Sequence, residues 1–171
     1  MGAVRRALLC LVLLTARVPA QTPDIHFVPT ATRIADAMLE LANVTAADVV
    51  YDLGSGDGTV VIRAAEKYGA RGVGVEIDRN LVKSATERAR RRNVADKVSF
   101  VQANLFSADI SEATVVALYL SPSTNRRLTT KLMHDLKPGA RVVSHRYDMG
   151  DWRPDQERSI GGRKIYLWTI K

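Results

Sequence analysis

One loop limits what this chain can fold into: residues 49–61 read VVYDLGSGDGTVV. An apolar, strand-like run leads into Asp52. Three alternating glycines follow, at Gly54, Gly56 and Gly58, and a second apolar segment begins at once. A buried strand, a glycine loop and a helix in that order are typical of a βαβ unit, which binds its ligand at the carboxyl end of the strand. We therefore predict an α/β fold with a site around this loop.

Strand and helix patterns alternate through the rest of the chain. The predicted strands cover residues 48–53, 71–78, 97–103, 112–120 and 141–147. The predicted helices lie within 32–44, 58–69, 79–93 and 123–136. Residues 157–170 are interpreted as two strands around a Gly-Gly turn, a hairpin. The result is a mostly parallel sheet with an antiparallel C-terminal hairpin and helices on both faces.

The beginning of the chain, MGAVRRALLCLVLLTARVPA, differs from the rest. Two arginines precede an apolar run too short for the ~20 residues that span a bilayer, and small residues precede Gln21. We interpret residues 1–20 as a secretory signal peptide; the alternatives are an uncleaved membrane-proximal anchor and a mis-assigned start codon. The domain then covers 21–171. The one cysteine, Cys10, lies in the first segment, so that domain has neither disulfides nor thiol catalysis.

The charges of the glycine loop restrict what it binds. A dinucleotide site requires G-x-G-x-x-G, whereas here Gly58 comes one position early and Asp57 stands inside the loop. A carboxylate beside a phosphate weakens binding by like-charge repulsion. A P-loop is excluded because no Gly-Lys-Ser/Thr follows. A cofactor with positive charge and no phosphate meets neither objection, and S-adenosylmethionine, with its sulfonium and ammonium, is such a cofactor.

The loop and its acids supply groups for that cofactor. Asp52 accepts from the ammonium, directly or through water, and Asp57 adds negative potential. Glycines let the backbone close on the methionyl part because they carry no Cβ. The loop residues predicted to bind the cofactor are Gly54, Ser55, Gly56, Asp57 and Gly58.

Further groups follow the next two predicted strands. Glu76 ends the second strand, where an acid accepts hydrogen bonds from ribose hydroxyls, and Ile77 beside it lies against the adenine. Asn104 follows the third strand, where an amide reads the adenine edge. Glycine loop, strand-end acid and amide thus occur in the order that a bound nucleoside requires.

These segments resemble one enzyme superfamily. YDLGSGDG after a strand and GVGVEID are similar to the class I S-adenosylmethionine-dependent methyltransferases. With MLELANV, LYLSPSTN, KLMHDLKPGARVVSH and DMGDWRPD, they resemble a small protein-lysine methyltransferase family. It includes an archaeal enzyme of broad protein substrate range and is related to the mitochondrial enzyme that methylates a lysine of the ATP synthase c subunit. The resemblance covers about residues 26–171. It implies a Rossmann-like class I fold and methyl transfer to a lysine ε-amine.

The resemblance also implies a lid and an acceptor site. Thr30 would close over the cofactor's carboxylate, although Thr30 or Thr32 equally suits a helix cap, and the family's usual TPE after Val-Pro is absent. The exit of the fourth strand, LYLSPS, would shape the acceptor site through Tyr119, Ser121 and Pro122. The alternatives are core packing for Tyr119 and a helix N-terminus for the Ser-Pro pair.

Three other features are weaker. His145 ends the fifth strand and either borders the acceptor or packs with its ring hydrogen-bonded. No histidine pair has metal-ligand spacing, so we expect no metal. The run RARRR at 88–92 spreads around a helix, and we interpret it as a solvated end rather than an RNA footprint.

We therefore expect a monomeric enzyme that methylates an exposed lysine of a protein substrate, with nucleic acid not expected as a partner. The alternatives are a small-molecule or RNA methyltransferase, a catalytically silent S-adenosylmethionine-binding protein, and a nicotinamide-dependent oxidoreductase, which Asp57 disfavours. The signal-like pattern of residues 1–20 predicts export or membrane association. Because the methyl donor is made in the cytoplasm, a cytoplasm-facing side is expected.

Overall fold

Parallel strands with helical crossovers build the sheet that positions the site. The structure, a computed structural model, describes residues 30–171. The segment predicted as a signal or anchor, 1–20, and the residues up to 29 lie outside that part. The strands are β1 Val49–Leu53, β2 Arg71–Glu76, β3 Val98–Gln102, β4 Val115–Leu118, β5 Arg141–His145, β6 Gln156–Ile160 and β7 Arg163–Thr169. The helices are α1 Thr32–Leu41, α2 Thr59–Tyr68, α3 Arg79–Arg91 and α4 Pro122–Asp135.

The seven strands form one sheet in the order β3-β2-β1-β4-β5-β7-β6. β1 to β5 are parallel, while β7 runs antiparallel to β5 and to β6. The predicted α/β fold with an antiparallel C-terminal hairpin is confirmed. From β1 the chain builds β2 and β3 on one side, and then crosses to β4 on the other. The reversal opens a crevice at the carboxyl ends of β1 and β4, where such sheets bind ligands.

The five predicted strands all extend beyond the observed ones at one or both limits, and two of these differences have a visible local cause. β5 stops at His145 because Arg146 adopts a left-handed conformation with φ +72°. β4 begins at Val115 because a turn, closed by the Ala113 N–H to the Ile110 carbonyl, precedes it. Local backbone geometry decides both limits.

Alternation along the strands divides the core into two layers. Val50, Ala117 and Val143 pack with α1 and α2 on one face. Tyr51 and Leu118 pack with α4 on the other. The same alternation turns Asp52, next to Tyr51, toward the α1 and α2 face.

The start of α1 differs from its prediction. The N-cap is Ala31, and no side chain caps the helix. Alanine has no oxygen to accept from the first-turn N–H groups, and Thr32 already lies inside the helix. The capping role considered for Thr30 or Thr32 is therefore wrong.

A buried ion pair holds the far end of α1 to the sheet. Arg141 pairs with Asp48 and also donates to the Ala42 carbonyl at 2.7 Å. Burial alone would raise the pKa of Asp48. Hydrogen bonds from Thr114 and Thr45, together with Arg141, outweigh burial and leave that pKa below its usual value. These contacts fix where α1 lies over the sheet.

No helix within residues 30–171 combines the length and the apolar character needed to cross a bilayer.

The glycine loop requires its glycines for two separate reasons. Gly54, Gly56 and Gly58 have φ values of +82°, +53° and +76°, a region that other residues adopt only with strain. At Gly58 space is also missing, because an added Cβ would lie 2.4 Å from Cζ of Phe100. The Phe100 ring thus fills the place of a side chain beneath the loop.

Gly58→Ala is expected to lower the free energy of unfolding by about 3 kcal/mol, because it adds a steric collision to backbone strain. Gly139→Ala is a matched control with φ +88° and no atom within 4 Å of the new Cβ, so it should lose only about 1 kcal/mol. Denaturant unfolding of the two variants measures both losses. Equal losses would show that Phe100 does not restrict the loop.

Candidate donor and acceptor site

The carboxyl ends of four neighbouring strands bring the predicted site residues to one edge. Leu53 of β1 is in register with Val75 of β2 and Leu118 of β4, and Leu118 is in register with Ser144 of β5. One residue further along, the same row continues as Glu76, Gly54, Tyr119 and His145. Acids therefore lie on the β1–β2 side of the crevice, and aromatic rings lie on the β4–β5 side.

Asp52 is a buried acid without a counter-charge. Its side chain is 6% exposed, and no ion pair or side-chain hydrogen bond from residues 30–171 satisfies its carboxylate. Burial raises its pKa to about 7, and the carboxylates of Asp57 and Glu76 add to the shift. A buried carboxyl in this state favours a cationic ligand. This arrangement fits the ammonium of S-adenosylmethionine, and the role of Asp52 in binding it stays a prediction.

Asp57 adds negative potential beside Asp52, as expected, and Arg88 offsets part of its charge. Its carboxylate forms an ion pair with Arg88 and accepts hydrogen bonds from the N–H and the hydroxyl of Thr59 at 3.1 and 2.8 Å. Arg88 also donates to the Thr59 hydroxyl at 2.8 Å. The charge of Asp57 is therefore partly balanced just before α2, so it repels a phosphate less than the sequence suggested, although it still raises the pKa of Asp52. Contact of Asp57 with the cofactor stays a prediction.

Sequence reasoning missed Arg88. It belongs to the basic run 88–92, interpreted as a solvated end, yet its guanidinium reaches 31 positions back to the loop. Arg92 of the same run pairs with Glu66 of α2. Helical spacing indicates only that the run spreads around α3, and it carries no signal for these partners.

Glu76 holds the glycine loop to the end of β2. One carboxylate oxygen accepts from the Gly56 N–H at 2.9 Å, and the other accepts from the N–H groups of Ile77 and Asp78 at 2.8 and 3.0 Å. A carboxylate offers about four acceptor positions, so about one is left for a ribose hydroxyl. Glu76 thus shapes the loop as well as standing where the ribose is predicted to bind.

The predicted adenine positions follow β2 and β3. Ile77 is 46% exposed and leaves an apolar surface beside Glu76. The side-chain oxygen of Asn104 accepts from the Phe106 N–H at 2.9 Å, so it already holds its own loop. The Arg127 guanidinium lies 4.2 Å above the centre of the Phe106 ring and packs this loop against α4. Both adenine contacts stay predictions.

The residues predicted at the acceptor site lie where β4 leads into α4. Ser121 is the N-cap of α4, and its hydroxyl accepts from the Thr124 N–H at 3.2 Å. Pro122 is the first residue of the helix. The alternative interpretation of this pair as a helix N-terminus is confirmed, and its acceptor role is not tested by this geometry.

Tyr119 packs against His145. The two ring centres are 4.2 Å apart and the planes are tilted by 41°. His145 is 2% exposed, and neither ring nitrogen has a hydrogen-bond partner in the described part of the chain. The expectation of a hydrogen-bonded histidine is therefore wrong, because the buried ring packs against Tyr119 without a polar partner. Burial lowers the pKa of His145 to about 4, and Arg163 and Arg146 add to the shift, so the imidazole is neutral at pH 7.

The connection from β5 to β6 is tied to α4. The Asn125 amide lies within 3.1 Å of the carbonyl oxygens of both Tyr147 and Asp148, and 3.2 Å from the Ser144 hydroxyl. Asn125 is fully buried. This edge of the acceptor side is thus held by side-chain hydrogen bonds across three elements.

Two other predictions concern the surroundings. Among residues 30–171, no group of three or more histidine, cysteine, aspartate or glutamate side chains is arranged to hold a metal ion. Thr30 is half-buried and stands just before α1, and its contact with the cofactor stays a prediction.

Comparison with known proteins identifies the family. Residues 52–156 match the family model described as the ANTKMT methyltransferase domain. The chain belongs to the ANTKMT methyltransferase family. The match begins at Asp52 and spans the donor and acceptor sides of the crevice, and it confirms the predicted class I methyltransferase fold.

Relatives of this ANTKMT-family methyltransferase carry related names. A protein-lysine N-methyltransferase of Saccharolobus islandicus is 39% identical over 153 residues, covering 86% of this chain and 95% of that protein. The lysine N-methyltransferase of the ATP synthase c subunit from Rattus norvegicus is 32% identical over 146 residues, covering 85% of this chain and 67% of that protein.

A solved structure identifies the cofactor. The RNA methyltransferase from Salinibacter ruber in complex with S-adenosyl-L-homocysteine is 57% identical to this chain, with a TM-score of 0.83, covering 84% of this chain and 94% of that one. S-adenosylhomocysteine is what remains of S-adenosylmethionine after methyl transfer. The methyl donor of the ANTKMT-family chain is S-adenosylmethionine, as predicted.

Donor affinity should depend on the ionisation of Asp52. Its pKa of about 7 is raised, so the carboxylate that an ammonium requires is increasingly protonated below pH 7. Between pH 7.5 and pH 6 the Kd for S-adenosylhomocysteine should rise by about eightfold in calorimetry. Asp52→Asn should bind more weakly and lose this dependence. An equal pH dependence in wild type and variant would contradict the assignment.

Glu76→Gln should weaken donor binding by about thirtyfold, because an amide nitrogen facing the Gly56 N–H leaves a buried donor without an acceptor, which costs about 2 kcal/mol. Glu87→Gln makes the same chemical change at an exposed position of α3 and serves as the control. Calorimetric titration with S-adenosylhomocysteine measures both. Matching affinities for the two variants would show that the hydrogen bond from the Gly56 N–H to Glu76 does not shape the site.

Proposed function

We propose that this enzyme transfers a methyl group from S-adenosylmethionine to the ε-amine of a lysine in a protein. The observation that carries the proposal is the likeness to a protein-lysine N-methyltransferase along 95% of that relative's length. A likeness of this extent includes the acceptor side of the crevice as well as the donor side.

The electrostatics of the acceptor side support an amine as the substrate. A lysine attacks only as the free amine, and its pKa near ~10.4 falls in an apolar site close to cations. Tyr119 provides an aromatic wall with the uncharged His145 packed behind it, and the charges of Arg146 and Arg163 are felt at His145. These groups favour loss of the ammonium proton to water, so the reaction needs no dedicated strong base.

The open edge of the sheet supports a large substrate. Within residues 30–171 the connections that leave the carboxyl edge are short, and the two longest, 103–114 and 146–155, lead directly into β4 and into the β6–β7 hairpin. No further domain in that range covers the crevice. A lysine that projects from a protein surface reaches such a site without being enclosed.

Methyl transfer depends mainly on the alignment of the donor methyl group with the acceptor amine. When bound, S-adenosylmethionine supplies an electrophilic methyl group on sulfur. Asp52 holds its methionyl part and Glu76 holds its ribose. Tyr119 orients the amine on the opposite side of the crevice. Holding the two in line accounts for a large share of the rate of such a displacement.

RNA is the second candidate substrate, favoured by the description of the Salinibacter ruber structure as an RNA methyltransferase. Against it, two arginines of the basic run on α3, Arg88 and Arg92, already form ion pairs with Asp57 and Glu66. Less of that run is therefore available to bind phosphates than its sequence suggests.

The decisive test incubates the enzyme with labelled S-adenosylmethionine and either mixed proteins or total RNA, followed by mass spectrometry of the labelled chains. We expect label on lysine side chains. A matched protein sample, with its lysines dimethylated chemically beforehand, should accept far less label. Label on RNA with unlabelled lysines would overturn the proposal and support the second candidate, and donor binding without turnover on any acceptor would indicate a catalytically silent protein.

We also propose that residues 1–20 attach the chain to a membrane, with the enzyme facing the cytoplasm. The basic residues and short apolar run of that segment support attachment, and the supply of donor supports the orientation. Fractionation of cells, with sequencing of the native N-terminal peptide, tests this. An N-terminus at Gln21 outside the cytoplasm would contradict it.

A further inference from the structure

The β5 end of the crevice contains a histidine that neither the fold nor the donor site explains. His145 lies in the row of Glu76, Gly54 and Tyr119, one strand beyond Tyr119. Neighbouring strands are about 4.8 Å apart, so Tyr119 stands roughly 10 Å from the strand of Glu76 and His145 roughly 14 Å. Asp52 and His145 face the same side of the sheet as Val50 and Val143. His145 is thus on the acceptor side, behind Tyr119 as seen from the donor.

Several observations show what holds the two rings. Their centres are 4.2 Å apart with a tilt of 41°, a contact distance typical of paired aromatic rings. Tyr119 is half-buried, whereas His145 is almost fully buried. The imidazole nitrogens make no hydrogen bond to any described residue. The histidine therefore acts in the free enzyme as an uncharged flat ring that supports the face of Tyr119.

Building on the proposed function, we propose that His145 is a positioning residue for methyl transfer, which acts by holding the Tyr119 ring in the orientation that aligns the acceptor amine. Tyr119 contacts the amine, and His145 contacts Tyr119. Replacing the flat ring with a branched aliphatic side chain removes the planar surface against which the Tyr119 ring is held. Misplacement of a reacting group by about 1 Å costs up to about a hundredfold in rate.

The proposal predicts different behaviour for two substitutions of similar volume. His145→Phe keeps a flat ring and removes only nitrogens that have no partner, so turnover should stay within about threefold of wild type. His145→Leu removes the ring, so kcat should fall by about ten- to a hundredfold while the Kd for S-adenosylhomocysteine and the acceptor KM change by less than about threefold.

A spectroscopic readout keeps this test independent of the acceptor. With labelled tyrosine, the Tyr119 ring signal is assigned by its loss in Tyr119→Phe, and it reports the neighbouring ring. The signal should keep its wild-type line width in His145→Phe and should move and broaden in His145→Leu. An unchanged Tyr119 signal in His145→Leu would overturn the positioning role even if no lysine substrate were found.

The kinetic outcomes are equally decisive. Wild-type turnover in His145→Leu would remove the need for the ring. Loss of turnover in His145→Phe, with an intact fold and donor binding, would transfer the role from the ring to its nitrogens and overturn the proposal. Failure of the wild-type enzyme to methylate lysine would instead count against the proposed function, and the Tyr119 signal would still decide the role of His145.

Discussion

The hydrogen bond from the Gly56 N–H to Glu76 is the contact on which the donor side of the crevice depends. It spans 20 positions of sequence at 2.9 Å and joins the glycine loop to the end of β2. The second oxygen of Glu76 holds the start of the next connection through Ile77 and Asp78. One carboxylate thus fixes two backbone segments, and the buried Asp52 beside them keeps its position although its charge is unsatisfied.

The two halves of the crevice have opposite electrostatic character. On the β1–β2 side, the carboxylates of Asp57 and Glu76 add to the raised pKa of the buried Asp52, and together the three acids favour a cation. On the β4–β5 side, the charges of Arg163 and Arg146 add to the effect of burial in lowering the pKa of the His145 imidazole, and they disfavour a cation there. A cationic donor and an uncharged amine are the pair of reactants that this gradient suits. Neither half requires a titrating residue at the point of transfer.

Sequence patterns predicted the parts of this structure that depend on neighbours along the chain. The alternation of strands and helices, the glycine loop and the acid at the end of β2 all follow from local periodicity and backbone geometry. Contacts between distant residues could not be predicted in this way. Arg88 forms an ion pair with Asp57 across 31 positions, and His145 meets Tyr119 only because β4 and β5 are neighbours. The start of α1 was missed for a different reason, since a helix packed on a sheet begins at Ala31 without the cap that an isolated helix would favour.

The buried Asn125 amide has a consequence for how a substrate protein docks. Through it the first turn of α4 and the carbonyls of Tyr147 and Asp148 belong to one braced unit. An approaching polypeptide therefore meets a stiff rim and not two independently adjustable loops. The shape of the protein surface around each lysine then decides which lysines react. A lysine that protrudes from an open surface can reach the site, whereas a recessed lysine is sterically excluded.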